Sequence, residues 1–162
     1  LPKLTALGLT VFFEPGRSIV ANARVLLTQV DVLKPTEHKN FAIVDAAMND
    51  LIRPALYQAE MAVIPSILPE NGIDTDGTQP WDIVGAICES GGFLAKDRLL
   101  SLAASDILAI TGAGAYGFTM SSNYNSRPRA SEVMVADDSH QLIRKRETIE
   151  ALYADEVLWQ GK

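Results

Sequence analysis

Short apolar segments separated by Gly, Pro, Asn and Asp turn signals follow one another along the chain. Residues 7–13 (LGLTVFF) form a buried-strand pattern that stops at Glu14-Pro15-Gly16-Arg17. So apolar a strand needs sheet neighbours on both edges. With Leu rather than Met at position 1, the chain is expected to be a piece of something longer. Ser18 is placed to cap a helix running to Leu27, with Ile19, Ala23 and Leu26 or Leu27 on one face. Strands are expected over 25–32, 41–46, 60–67, 81–87 and 106–111, and a hairpin over 132–136 and 141–146 around Asp137-Asp138-Ser139. Asn49 or Asp50 would cap a helical turn to Tyr57 with Pro54 in its first turn. Residues 68–80 read as a loop, 96–101 as a turn or short helix, and Thr148 as the cap of a closing helix to Ala154. Six or seven short strands with small helices predict a mainly β chain, a barrel or sandwich.

Composition narrows the function classes. The 162 residues suit one domain, and 48% hydrophobic with 21% charged is a globular balance. No apolar run reaches membrane-spanning length, and no secretory signal opens the chain, so the expected location is the cytoplasm. A formal net charge of −6 disfavours nucleic acid as a partner. The single cysteine, Cys88, excludes an internal disulfide, and the distant pair His38 and His140 offers no metal-ligand spacing.

Four motifs carry candidate chemistry. Gly112-x-Gly114-x-x-Gly117 formally matches a dinucleotide fingerprint, with Glu132 at the acidic position, but the turn-rich FTMSSNYNSRP follows where a helix is required. It reads as a tight turn, or as a turn presenting Tyr116 to a ligand. In Glu14-Pro15-Gly16-Arg17, Gly16 would let a backbone amide approach a phosphate and Arg17 can fork onto a carboxylate; the alternative is a β-turn with a solvated arginine. Arg53 and Tyr57, four residues apart, would share a helix face and bind a carboxylate, or else pair as a surface cation on an aromatic ring. Cys88-Glu89 precedes Ser-Gly-Gly: the thiol is either buried filler or a site acid, and the absence of a nearby histidine favours its protonated form. Asp74, Asp76, Asp137 and Asp138 read as solvated loop charge.

In order, EPGRSIVANA, FAIVDAAMNDLIRPALY, DIVGAICESGGFLAKDR and GAGAYGFTMSSNYNSRPRASEV resemble the diaminopimelate decarboxylases, pyridoxal-phosphate enzymes of the alanine-racemase-like fold type. The resemblance covers 7 to about 152 and corresponds to the family's C-terminal part. It implies that 1–24 are the last strand and helix of a cofactor-binding (β/α)8 barrel otherwise missing, and 25–162 a C-terminal β-domain. It further implies that Glu14, Pro15, Gly16, Arg17 and Tyr116 bind pyridoxal phosphate. Arg17, Arg53, Tyr57, Glu89 and Tyr116 would bind meso-diaminopimelate, and Cys88 would donate a proton after carbon dioxide leaves. The family's sites are built across a homodimer. Glu89 after the cysteine, together with Arg53-Pro54-x-x-Tyr57, favours the diaminopimelate branch over ornithine- or arginine-type decarboxylases; a non-catalytic dimerisation domain is the other alternative.

Three positions depart from the family pattern: Arg24 replaces a small residue, Ala86 a proline and Gly92 an aspartate. A long cation at position 24 must find an exit to solvent or a partner. None of the lysines (Lys3, Lys34, Lys39, Lys96, Lys145, Lys162) stands where the cofactor's anchoring lysine would be, so this chain alone is expected to be inactive and, with an uncovered barrel strand, prone to self-association.

Overall fold

A computed structural model describes residues 2–67 and 77–161. In chain order its elements are α1 (Pro2–Thr5), α2 (Arg17–Val20), β1 (Leu26–Pro35), β2 (Asn40–Val44), α3 (Arg53–Tyr57), β3 (Val63–Pro65), β4 (Gln79–Gly85), β5 (Phe93–Leu100), β6 (Ile107–Ile110), β7 (Glu132–Ala136), β8 (Ser139–Arg144) and α4 (Ile149–Leu152). The first six strands form one mixed sheet in the order β3-β6-β1-β2-β4-β5; β7 and β8 pair separately. All ladders of the large sheet are antiparallel except β2–β4. That parallel pair requires a crossover, which the chain makes through α3 and β3.

The edge strands β3 and β5 come into contact, nearly closing the sheet into a barrel. Arg98 on β5 spans the seam, its Nη2 donating to the Met61 carbonyl at 3.2 Å. Val30, Val44, Leu51, Ile83, Leu94, Leu108 and Ile110 fill the interior. Burial alternates along β1 (Thr28, Val30) and β2 (Ala42, Val44), whereas β4, β5 and β6 bury consecutive residues, at 81–83, 94–95 and 108–110. At the rim, buried Asp82 accepts from Lys39 Nζ (3.0 Å) and from the Asp97 amide (2.8 Å), so its charge does not go unpaired. Among the described residues no helix is long and apolar enough to cross a membrane.

The mainly β, barrel-type expectation stands, and so does the hairpin at 132–144, but four local expectations change. Residues 7–13 are not a strand: among the described residues no strand pairs with them, and Leu7, Leu9, Phe12 and Phe13 are exposed. Their apolar pattern finds neither ladder partners nor a covering layer here. The helix expected from Ser18 to Leu27 lasts one turn, α2, and then a 3₁₀ turn over Ala21–Ala23. Gly16, not Ser18, stands at its N-cap. The Gly114 and Ala113 amides donate to the carbonyls of Ala21 (2.9 Å) and Arg24 (3.0 Å), engaging the groups a longer helix would have used. Residues 96–101 lie mostly in β5, where pairing with β4 overrides the local turn signal and leaves Asp97 at a positive φ of 53°. At α3 the N-cap is Ile52, with Pro54 in the first turn as expected, while Asp50 accepts from the Ala47 amide at 3.0 Å one turn earlier. Asp74 and Asp76 lie outside the described residues.

Candidate functional site

The turn Glu14–Arg17 feeds directly into α2, and the loop 112–117 closes over it. Gly114 makes this approach possible, because a Cβ there would overlap the Val20 carbonyl oxygen. The same loop holds Tyr116 at a positive φ of 58° and carries its ring to Gly16, where an added Cβ would sit 2.7 Å from the phenol oxygen. Thus Gly16 and Tyr116, a hundred positions apart in sequence order, are neighbours. The Gly112–Gly117 run continues into a 3₁₀ turn over Phe118–Met120, which cannot serve as the helix of a dinucleotide site.

Beside that turn a cleft of about 320 Å³ is lined by Arg17, Asn22, Arg53, Glu60 and Thr111, among others. Arg17 is exposed and Arg53 only 8% exposed. Neither guanidinium has an ion pair or hydrogen bond to another described residue. Two guanidiniums without a described partner on one opening, one of them buried, suit a carboxylate or phosphate, with the Glu60 carboxylate also on the lining. Tyr57 is 63% exposed and is not among the residues that line the cleft. α3 is a single turn that carries both Arg53 and Tyr57 and ends in left-handed Gln58.

Cys88 and Glu89 sit on a tight turn after β4. The Glu89 amide donates to Ile87 O (2.9 Å), Gly92 N to Glu89 O (2.9 Å) and Phe93 N to Gly91 O (2.8 Å). Ile87 is buried as the turn's anchor, while Cys88 is exposed, which sets aside the reading of its thiol as core filler. Glu89 Oε2 accepts from the Tyr124 hydroxyl at 3.3 Å. Neither Cys88 nor Glu89 lines the arginine cleft. The candidate residues therefore fall into two groups: Arg17 and Arg53 on the cleft, with Glu14, Pro15, Gly16 and Tyr116 at the adjoining turn, and the separate turn of Cys88 and Glu89.

The two groups rest on a polar framework. Arg24 finds its exit and its partner: half-exposed, it pairs with Glu132, which also accepts from Arg144 Nε at 2.6 Å. Arg144 in turn lies 4.4 Å from the Phe118 ring centre. Asn123 Nδ2 donates to Glu147 Oε2 (2.6 Å), and Arg129 binds Glu147 through its amide (2.9 Å) and Nε (3.0 Å). These bonds, the Arg129 amide first and then Asn123, hold the Glu147 carboxyl below its ordinary value. Burial pushes the Asp50 carboxyl up, opposed by its bond from Ala47 and by Arg127 and Arg146. Nothing in the sequence singles out Asn22, Glu60, Thr111 or Tyr124. Tyr124 lies inside a motif run, but only the folded chain sets it against Glu89.

Residues 18–114 match the pyridoxal-dependent decarboxylase C-terminal sheet domain. A curated Pseudomonas aeruginosa protein named diaminopimelate decarboxylase is 60% identical over 156 residues, covering 96% of this chain and 36% of the relative. A crystal structure from Aquifex aeolicus superimposes with a TM-score of 0.82 at 47% identity over 94% of this chain and 37% of that one. A diaminopimelate decarboxylase from Helicobacter pylori, complexed with L-lysine, has a TM-score of 0.78 at 44% identity, covering 94% and 36% respectively. The chain thus spans about a third of the length of the proteins it matches. Sequence match and superposition agree, and this chain belongs to the pyridoxal-dependent decarboxylases, in their C-terminal sheet domain.

Proposed function

We propose that this chain is the C-terminal part of a diaminopimelate decarboxylase, which converts meso-diaminopimelate to L-lysine and carbon dioxide, with 1–24 contributing to the cofactor side and 25–162 to the substrate side. The observation that carries this reading is the pair of unpaired guanidiniums, Arg17 and Arg53, on one cleft. A substrate with two carboxylates supplies what such a cleft lacks. The names of the relatives, at 60% identity in the first, point the same way.

The residues present fit pyridoxal phosphate. Gly16 lets the Tyr116 phenol pack against the turn next to Arg17, and a guanidinium on an open cleft beside an aromatic ring suits an anionic, planar group. Among the described residues no lysine lines the cleft, and the covalent anchor is assigned to the part of the enzyme that the chain does not span. When bound, the group supplies an electron sink for the pair released as the carboxylate leaves.

This chain's residues do the rest. Arg53 binds the distal carboxylate, and Arg17 with Tyr116 fixes the reacting end. Glu89 takes the distal ammonium. The bond from Cα to the carboxylate breaks, carbon dioxide departs, and the Cys88 Sγ–H delivers the proton that replaces it; water then restores the thiol. Cys88 and Glu89 are off the arginine cleft, which supports a site shared across a homodimer, one chain's acid turn facing its partner's arginines. The cytoplasm is the proposed location.

The test is turnover by the full-length enzyme on meso-diaminopimelate against ornithine and arginine, with and without Arg53→Ala. Preference for diaminopimelate, and a KM raised about 30-fold or more in the variant, is the expected result. Preference for ornithine or arginine, or a KM indifferent to Arg53, would overturn the assignment.

A further inference from the structure

We propose that Tyr124 is a positioning residue for substrate selection: its hydroxyl aims the Glu89 carboxylate at the ammonium of the incoming substrate. The inference rests on the assignment of Glu89 to that ammonium and adds the element that makes the carboxylate directional.

Glu89 is exposed on its turn, and the Tyr124 hydroxyl is its one side-chain partner among the described residues. A solvated glutamate left to itself samples many rotamers, and ordering it on binding costs affinity. The phenol engages Oε2 at 3.3 Å and leaves Oε1 free to accept from a ligand. One oxygen is thereby tethered and the other presented.

A tether is useful only if its own base is fixed, and Tyr124 is clamped on both sides. Before it, the Ser122 amide donates to the Asn49 carbonyl at 2.9 Å, and Asn123 Nδ2 bridges the Arg127 carbonyl (3.0 Å) and Glu147 Oε2. After it, Arg127 Nε donates to Asn49 Oδ1 at 3.1 Å and its Nη2 to the Asp45 carbonyl. Between the clamps, Asn125 and Ser126 are both left-handed, at φ 56° and 54°. Two successive non-glycine residues in that region are costly and persist only where surroundings over-determine them. The chain thus spends conformational strain to hold the tyrosine where it meets Glu89. Packing alone does not explain this, because Tyr124 is 46% exposed.

The experiment uses the full-length enzyme with Tyr124→Phe, which removes only the hydroxyl, Glu89→Gln, and the double variant. The readouts are KM and kcat for meso-diaminopimelate, and inhibition by two probes. L-Lysine retains the distal ammonium, whereas D-2-aminopimelate lacks it. In Tyr124→Phe, KM and the lysine inhibition constant should each rise about three- to tenfold, with kcat within about twofold and D-2-aminopimelate inhibition unchanged. In the Glu89→Gln background the same change should add nothing. Equal weakening of both inhibitors, loss confined to kcat, or full additivity with Glu89→Gln would overturn the positioning role. If Glu89→Gln itself leaves the discrimination between the two probes intact, the Glu89 assignment falls first and takes this inference with it.

Discussion

The Tyr116 phenol oxygen occupies the space beside Gly16 so closely that a Cβ there would lie 2.7 Å from it. The obstacle is the far end of a half-exposed side chain, not backbone, so Gly16→Ala should be absorbed by a swing of Tyr116. In the full-length enzyme, denaturant stability should change by less than about 1 kcal/mol while the dissociation constant for pyridoxal phosphate rises at least about tenfold. Unchanged cofactor affinity would show that this contact does not shape the cradle.

Gly114 presents the opposite case, because a Cβ there meets the Val20 carbonyl, which is backbone. Gly114→Ala must push the loop off α2 and sever the 2.9 Å bond from its amide to Ala21. A loss of about 3 kcal/mol or more in urea unfolding is expected. A loss below 1 kcal/mol would mean that the loop and α2 move apart freely.

Glu132 collects two guanidiniums, from Arg24 and Arg144, and is nearly buried while doing so. Removing it strands both cations, whereas removing Arg24 leaves Arg144 to satisfy the carboxylate. Glu132→Ala should therefore cost on the order of 2 kcal/mol and Arg24→Ala clearly less, as read from chemical denaturation. Equal losses would mean that the three groups do not act as one cluster.

Glu147 sets an acid limit on the segment that carries Tyr124. Its carboxyl is held below the ordinary 4.5 by the Arg129 amide and by Asn123, so its contribution is present above that value in the folded protein. It is lost as pH falls through the lowered folded value. Stability measured from pH 6 down to 3 should fall more steeply for the native sequence than for Glu147→Gln. Parallel curves would show that the bonds at 129 and 123 are not maintained in solution.

Cys88 is exposed and its thiol has no bond to another described residue, so its side chain is expendable to the fold. Cys88→Ala should keep stability within about 0.5 kcal/mol and lower kcat at least about a hundredfold with KM little changed, as expected for a proton donor. Full activity in this variant would remove the thiol from the chemistry.

Much was legible in the chain order of residues. The short apolar runs at 26–35, 40–44 and 79–85, set between turn residues, specify strands because segments of that length and composition bury well only in a ladder. The hairpin at 132–144 and the Thr148 cap, whose hydroxyl accepts from the Ala151 amide, were readable for the same local reason. The runs around Arg17, Cys88 and Tyr116 carried the family resemblance, since short motifs preserve the chemistry they serve. What the sequence could not decide was anything set by who pairs with whom. Residues 7–13 look like a strand and are not one, because a strand exists only in a ladder. Residues 96–100 look like a turn and belong to β5, because β4 lies alongside. Tyr57 shares a motif with Arg53 but is not among the residues lining its cleft, while Tyr124, which no motif reading singled out, meets Glu89. Local periodicity fixes what a segment can form; contacts between distant segments are bought with loop-closure entropy and tertiary packing, and they alone decide which side chains share a site.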